Sequence, residues 1–131
     1  MASAEPAAPA QACIDRGAAQ QFLSLLGKDP ATARLRAFPH RLNPAKVEIG
    51  ARKGPFDLDA AEQWQRDGRG IYLVINDGGD RKSEITACRA FFVEWDDRPI
   101  DWQLNAWKEL GLPEPSLIVL SGGKSAHCYW L

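Results

Sequence analysis

The most chemically pointed stretch of the chain is Glu94-Trp95-Asp96, which closes the apolar run Ala90-Phe91-Phe92-Val93. Side chains alternate faces along a strand, so this spacing sets both carboxylates on one face where the strand ends. Like charges so placed repel, and a hard divalent cation such as Mg²⁺ or Mn²⁺ is an economical compensation because it takes oxygen ligands in this arrangement. A plainer reading stands beside it: strand ends meet water, and Glu94, Asp96 and Asp97 then only mark where the sheet stops.

The second candidate is Ser121-Gly122-Gly123-Lys124-Ser125-Ala126-His127. Glycines at a strand turn let backbone N–H groups approach an anion, Lys124 adds a point charge, and Ser125 and His127 share one face of the following strand. All five could converge on a triphosphate. Gly123-Lys124-Ser125 matches the tail of a Walker loop, but that motif needs a glycine where Ile118 stands and a helix where the pattern after Ser125 is a strand. The Walker reading fails. The alternative is a simple hairpin turn at Gly122-Gly123, with His127 a hydrogen-bonded core histidine next to Tyr129.

These residues need elements to hold them. Ala19, Phe22, Leu23 and Leu26 recur at helical spacing over 18–26, ended by Gly27 and Pro30. From Thr32 to Phe38 the chain alternates as a half-exposed strand, with Arg34 and Arg36 on one side, solvated or awaiting an anion. Residues 39–56 read as an irregular basic loop with room for a short edge strand. A short helix over 58–65 takes Asp57 or Asp59 as cap, with Glu62 completing a capping-box-like pair. Ile71–Ile75 and Ala90–Trp95 are continuous apolar runs expected to be buried strands, the first central in its sheet. A third helix runs from an Asp101 cap to about Leu110, with Ile100, Leu104 and Trp107 on one side. A hairpin-like pair, Ser116–Leu120 and Ser125–Leu131, follows. The order suggests an α+β domain with helices packed on a mostly antiparallel sheet.

Taken in sequence, the strand ending in Glu94-Trp95-Asp96-Asp97, a helix, Leu112-Pro113-Glu114-Pro115-Ser116, another strand and then Gly122 to Trp130 resemble the catalytic core of the archaeo-eukaryotic primase superfamily. The likeness is strongest to the primase-polymerase and RepB-like primase domains of phages, plasmids and mobile elements, and covers about Gly70 to Trp130 best. It implies an RRM-like catalytic module, 70–131, preceded by an accessory α/β part, 13–69. It also implies template-directed nucleotidyl transfer, with Glu94 and Asp96 as catalytic ligands of two divalent cations, Mg²⁺ or Mn²⁺. Lys124, Ser125 and His127, with Gly122 and Gly123, become nucleotide ligands. Single-stranded DNA template and nucleoside triphosphates are the implied partners, and a helicase is a common companion. The family usually leads its first motif with Asp where Glu94 stands. Its third motif, a further metal-binding carboxylate, would lie beyond Leu131, so the chain reads as the front portion of a longer primase, truncated at its C-terminus.

Composition sets the outer bounds. A chain of 131 residues, 45% hydrophobic, fits one globular domain, and residues 1–12, rich in Ala and Pro, read as a disordered leader. Sixteen basic against seventeen acidic residues exclude a wholesale polyanion binder. Between Lys28 and Lys53, however, seven basic residues face two acidic ones, and Arg34, Arg36 and Arg41 could meet a nucleic-acid backbone. Three cysteines without a C-x-x-C pair argue against a disulfide framework, and no apolar run reaches the roughly 18 residues of a membrane span, so the expected location is cytoplasmic. Trp102 and Trp107 read as packing residues, His40 as solvated, and Arg89 as a possible phosphate contact. Two other function classes remain: a non-catalytic single-strand-binding module of a replication protein, and a metal-dependent nuclease, in which the triphosphate cradle has no role.

Overall fold

A computed structural model describes residues 14–40, 46–121 and 124–131, without the side chains at 46 and 47. The fold is α+β with antiparallel sheets, and the chain divides into two compact units, 1–74 and 75–131. Among the described residues no helix is long and apolar enough to cross a membrane.

The first unit begins with α1 (Arg16–Leu25), capped by Asp15, whose carboxylate accepts from the Ala18 N–H at 2.9 Å. Gly27, at φ 67°, turns the chain so that the Lys28 N–H returns to the Leu23 carbonyl at 3.1 Å. Leu23 and Leu26 of the expected apolar face are buried. In β1 (Arg34–Pro39), Leu35 and Ala37 are buried, while Arg36 and Phe38 face outward, as the period-2 pattern predicts. The short helix α2 (Lys46–Ile49) and the edge strand β2 (Arg52–Pro55) lie in what reads in the sequence as an irregular loop.

Asp57 caps α3 (Leu58–Arg66), accepting from the N–H groups of Asp59 and Ala60 at 3.0 and 3.2 Å. Asp59 and Glu62 do not form a capping box; both reach Arg16 of α1, at 2.6 and 3.1 Å, because they project from the side of α3 rather than across its end. The following strand, β3 (Arg69–Leu73), corrects the sequence reading. It stands at the edge of a sheet of order β2-β1-β3, with Tyr72 half exposed. An apolar run reports β propensity, not the number of neighbouring strands.

Arg69 is a buried cation of this unit. Its Nε donates to the Gly50 carbonyl at 2.8 Å, one Nη donates to the Ile49 carbonyl, and the other lies 3.2 Å from Asp67. It thus satisfies two carbonyls at the end of α2, where helical partners run out.

The second unit opens with a narrow ribbon, β4 (Asp77–Gly78) and β5 (Ile85–Ala87), joined through a 3₁₀ turn at Lys82–Glu84. A Cβ on Gly78 would stand 2.0 Å from the Glu84 carbonyl oxygen, so only glycine fits there. Next come β6 (Phe91–Glu94), α4 (Ile100–Glu109), β7 (Leu117–Leu120) and β8 (Ala126–Trp130). The hairpin of β7 and β8 forms as expected, with β8 at the centre of the sheet β6-β8-β7. The expectation of a buried β6 is overturned: it has one strand neighbour, and Phe91 is 82% exposed. Asp101 is not the cap of α4; Pro99 occupies that position, and Asp101 sits in the first turn, where a carboxylate favours the helix dipole.

Arg69→Leu strips two carbonyls of their donors, so we expect a loss of about 2–4 kcal/mol of stability in urea unfolding. A change within about 0.5 kcal/mol, the range of an ordinary surface substitution, contradicts the role given to this side chain.

Candidate functional site

The antiparallel pairing of β6 and β8 sets Glu94 directly opposite His127 and Phe92 opposite Tyr129. Opposed residues share a face, so the end of the first motif and the start of the second meet on one side of the sheet. His127 Nε2 lies 2.9 Å from Glu94 Oε2. One step beyond the strand, Ser125 Oγ donates to Asp96 Oδ1 at 3.5 Å, the long limit of a hydrogen bond. Glu94, Asp96, Ser125 and His127 therefore form one polar cluster. Both carboxylates face the same way, as the Glu-x-Asp spacing predicts.

The pair contacts are weak by construction. Side-chain exposure is 51% at Glu94 and 20% at His127, a setting in which an ion pair contributes about 0–1 kcal/mol. Such groups can exchange one another for an arriving ligand at small cost. Ser125 is itself buried, and Tyr129 behind it is packed against Phe92 at a centroid distance of 5.6 Å. Burial, and secondly the charge of Glu94, push the Tyr129 phenol above its ordinary value of 10.0, so it is neutral beside the carboxylates.

Among the described residues no three His, Cys, Asp or Glu side chains gather into a metal-holding group. Two carboxylates on an open sheet end nevertheless suit Mg²⁺ or Mn²⁺, since Mg²⁺ keeps several waters and is commonly held by one or two carboxylates together with substrate phosphates. The donor set fits a cation shared with a ligand better than a closed protein cage.

Compared with solved structures, the chain matches the archaeo-eukaryotic primase domain of the primase-polymerase of cyanophage S-2L, with a TM-score of 0.84 and 40% sequence identity over 92% of this chain. The chain belongs to the archaeo-eukaryotic primase superfamily. It spans 63% of the length of that primase domain chain. No family model matches the sequence, and no curated protein does.

The other sequence candidates of this primase-superfamily chain do not all join the cluster. Lys124 is exposed at the start of the cluster, while Gly122 and Gly123 lie outside the described residues. Arg34 and Arg36 belong to β1 of the first unit, and Arg41 lies outside the described residues. Arg89 is engaged by Asp77 at 2.6 Å, which raises its pKa and leaves the phosphate role without support. Trp102 packs edge-on against Trp95 at 5.5 Å, with the Arg98 guanidinium 5.0 Å over its ring, in agreement with a packing role.

Sequence reasoning missed Gln103. It is fully buried in α4, and its Nε2 donates to the carbonyls of Arg98 at 2.6 Å and Lys124 at 2.8 Å, while its Oε1 accepts from the Ala126 N–H at 2.7 Å. One amide thereby ties the loop after Asp96 to the backbone on both sides of Ser125. Ser121 closes the same turn: its Oγ accepts from the Ser125 N–H at 3.2 Å, and its own N–H donates to the Ser125 carbonyl at 2.9 Å. The signal was present as a lone amide within the helical stripe Ile100, Gln103, Leu104, Trp107.

Gln103→Leu removes the partner of the buried Ala126 N–H and of the part-buried Arg98 and Lys124 carbonyls, and chemical denaturation should show a loss of about 2–4 kcal/mol. A stability equal to that of the parent chain means the amide is dispensable. For Tyr129 the folded state favours the neutral phenol, so its contribution is present below pH 10.0 and is lost as pH rises through the raised folded value. Urea midpoints taken from about pH 8 upward should fall less steeply above about pH 10 in Tyr129→Phe than in the parent chain; parallel curves rule this out.

Proposed function

We propose that the chain carries part of the catalytic centre of a DNA primase-polymerase, joining nucleoside triphosphates on a single-stranded DNA template. What supports this reading is the direct opposition of Glu94 to His127 with Asp96 beside Ser125, in a fold shared with a primase-polymerase domain at 40% identity. Glu94 and Asp96 are the metal ligands, and Lys124, Ser125 and His127, with the Gly122-Gly123 turn, receive the triphosphate. Bound Mg²⁺ or Mn²⁺ supplies positive charge at the phosphates and at the attacking hydroxyl.

The chain's own residues prepare that encounter. Without ligand, Glu94 holds the His127 ring and Asp96 accepts from the Ser125 hydroxyl, so all four side chains are ordered on the face that must receive substrate. When an anionic ligand enters, His127 and Ser125 turn their N–H and O–H toward phosphate oxygens, and both carboxylates are released to take cations. Gln103 keeps the Lys124–Ala126 backbone from following the side chains. The energy of reorganisation is small because the contacts exchanged are weak.

A second reading, a non-catalytic single-strand-binding module, draws on one observation: the strands of the first sheet carry basic and no acidic residues. The two differ in their response to cations. In the nucleotidyl-transfer reading, the chain binds a fluorescent nucleoside triphosphate with Mn²⁺, loses it on chelation, and binds it about ten-fold or more weakly as Asp96→Asn or His127→Ala. In the open reading frame that carries the chain, Asp96→Asn lowers primer extension about a hundred-fold or more. Full extension by that variant, or nucleotide binding indifferent to chelation, overturns the assignment.

A further inference from the structure

The outward face of the first sheet carries an arrangement that the polar cluster of the second unit does not use. Lys53, Arg36 and Tyr72 lie in one cross-strand row over β2, β1 and β3. Two residues along β1, Phe38 packs against Tyr72, with ring centroids 5.7 Å apart and planes inclined by 60°, and the Arg36 guanidinium stands 4.9 Å over the Phe38 ring. Gly70, opposite Phe38, leaves the space that the Tyr72 ring crosses: a Cβ there would stand 3.3 Å from the tyrosine hydroxyl.

Both rings are open to water, Phe38 by 39% and Tyr72 by 51%. Exposed aromatic pairs on a sheet face are costly unless something covers them. Charge indicates what: Arg34, Arg36 and Lys53 stand on this face, and the three strands hold no acidic residue, in a chain whose net charge is −1. Arg36, which stands over the Phe38 ring, also lines a groove of about 460 Å³ together with Ala51, Arg52 and Lys53.

We propose that this face is a platform for single-stranded nucleic acid, with unpaired bases stacked on Phe38 and Tyr72 and the phosphate chain running along the groove past Arg36 and Lys53. A single strand suits it better than a duplex because stacking needs a free base face, whereas a duplex offers only its backbone and groove edges. The surface thereby assigns the template's route on the first unit, and in that sense it rests on the primase-polymerase reading.

The test is fluorescence anisotropy of a labelled oligothymidylate across a salt series, using the 131-residue chain. Phe38→Ala and Tyr72→Ala should each weaken binding about ten-fold with an unchanged salt slope, while Tyr72→Phe, which keeps the ring, binds as the parent does. Arg36→Ala should lower the slope of log affinity against log salt by about 0.7, one phosphate's worth for a single strand. The proposal is overturned if Phe38→Ala/Tyr72→Ala binds as tightly as the parent, if duplex of the same length binds equally well, or if the parent does not bind. A dimer in sedimentation that Tyr72→Ala dissociates, without strand binding, gives the face to a second copy and equally overturns it. Mn²⁺-dependent nucleotide binding, followed on the same variants, separates the two readings. Strand binding lost with the ring substitutions while the parent binds no nucleotide keeps the platform and removes the primase-polymerase reading; the reverse pattern removes only the platform.

Discussion

The register of β6 against β8 is the constraint from which the polar cluster follows. Antiparallel pairing forces Glu94 and His127 to share a face at close range, and the next residues outward, Asp96 and Ser125, are carried to the same side. A shift of one residue would turn one partner of each pair to the opposite face, since the side-chain period is two. The cluster is held by strand pairing more than by its own bonds, since the Glu94–His127 pair is partly exposed and the Ser125–Asp96 bond is long. In that division the backbone holds the arrangement, and the side chains can exchange partners at small cost.

Backbone order near Ser125 has a different source. The turn into β8 carries no apolar anchor of its own, and Gln103 substitutes for one by satisfying a carbonyl and an N–H on either side of the serine. A buried amide with three hydrogen bonds made is rigid, because breaking any of them strands a polar group away from water. Its third bond, to Arg98, reaches the loop that follows the carboxylates. Both halves of the cluster therefore depend on one side chain of α4, a helix that contributes nothing to the cluster's surface.

The first unit solves a separate problem with the same alternation. Apolar residues, Leu35 and Ala37 with Ala33 just before the strand, take the inner face of β1, and the outer face is left to arginine and phenylalanine. Arg69 closes the far end by holding the carbonyls of Ile49 and Gly50, so the sheet edge and the short helix behave as one piece. The strands of this unit are basic, whereas β6 in the second unit ends on a carboxylate, so the two units differ in local charge.

Much of this was legible in the residues. Period two in 33–38 told which side of β1 carries arginine, and the Glu-x-Asp and Ser-x-His spacings told which side chains share a face, because alternation is a property of the strand itself. The extents of α1, α3 and α4 were readable to within two residues from helical periodicity, whereas the single turn of α2 was not read as helix. What the residues could not tell was who stands beside whom. Ile71–Ile75 and Ala90–Trp95 are equally apolar whether central or at an edge, and only the hydrogen-bonded partners decided that both β3 and β6 are edge strands. Asp59 and Glu62 carry the spacing of a cap, yet the arrival of Arg16 from α1 turned them into its partners. The pairing of Glu94 with His127 across 33 positions of sequence, and the reach of Gln103 to Ser125's backbone, were likewise decided by tertiary structure. Local sequence dictates periodicity and propensity, but a contact between distant segments exists only once packing has fixed their register.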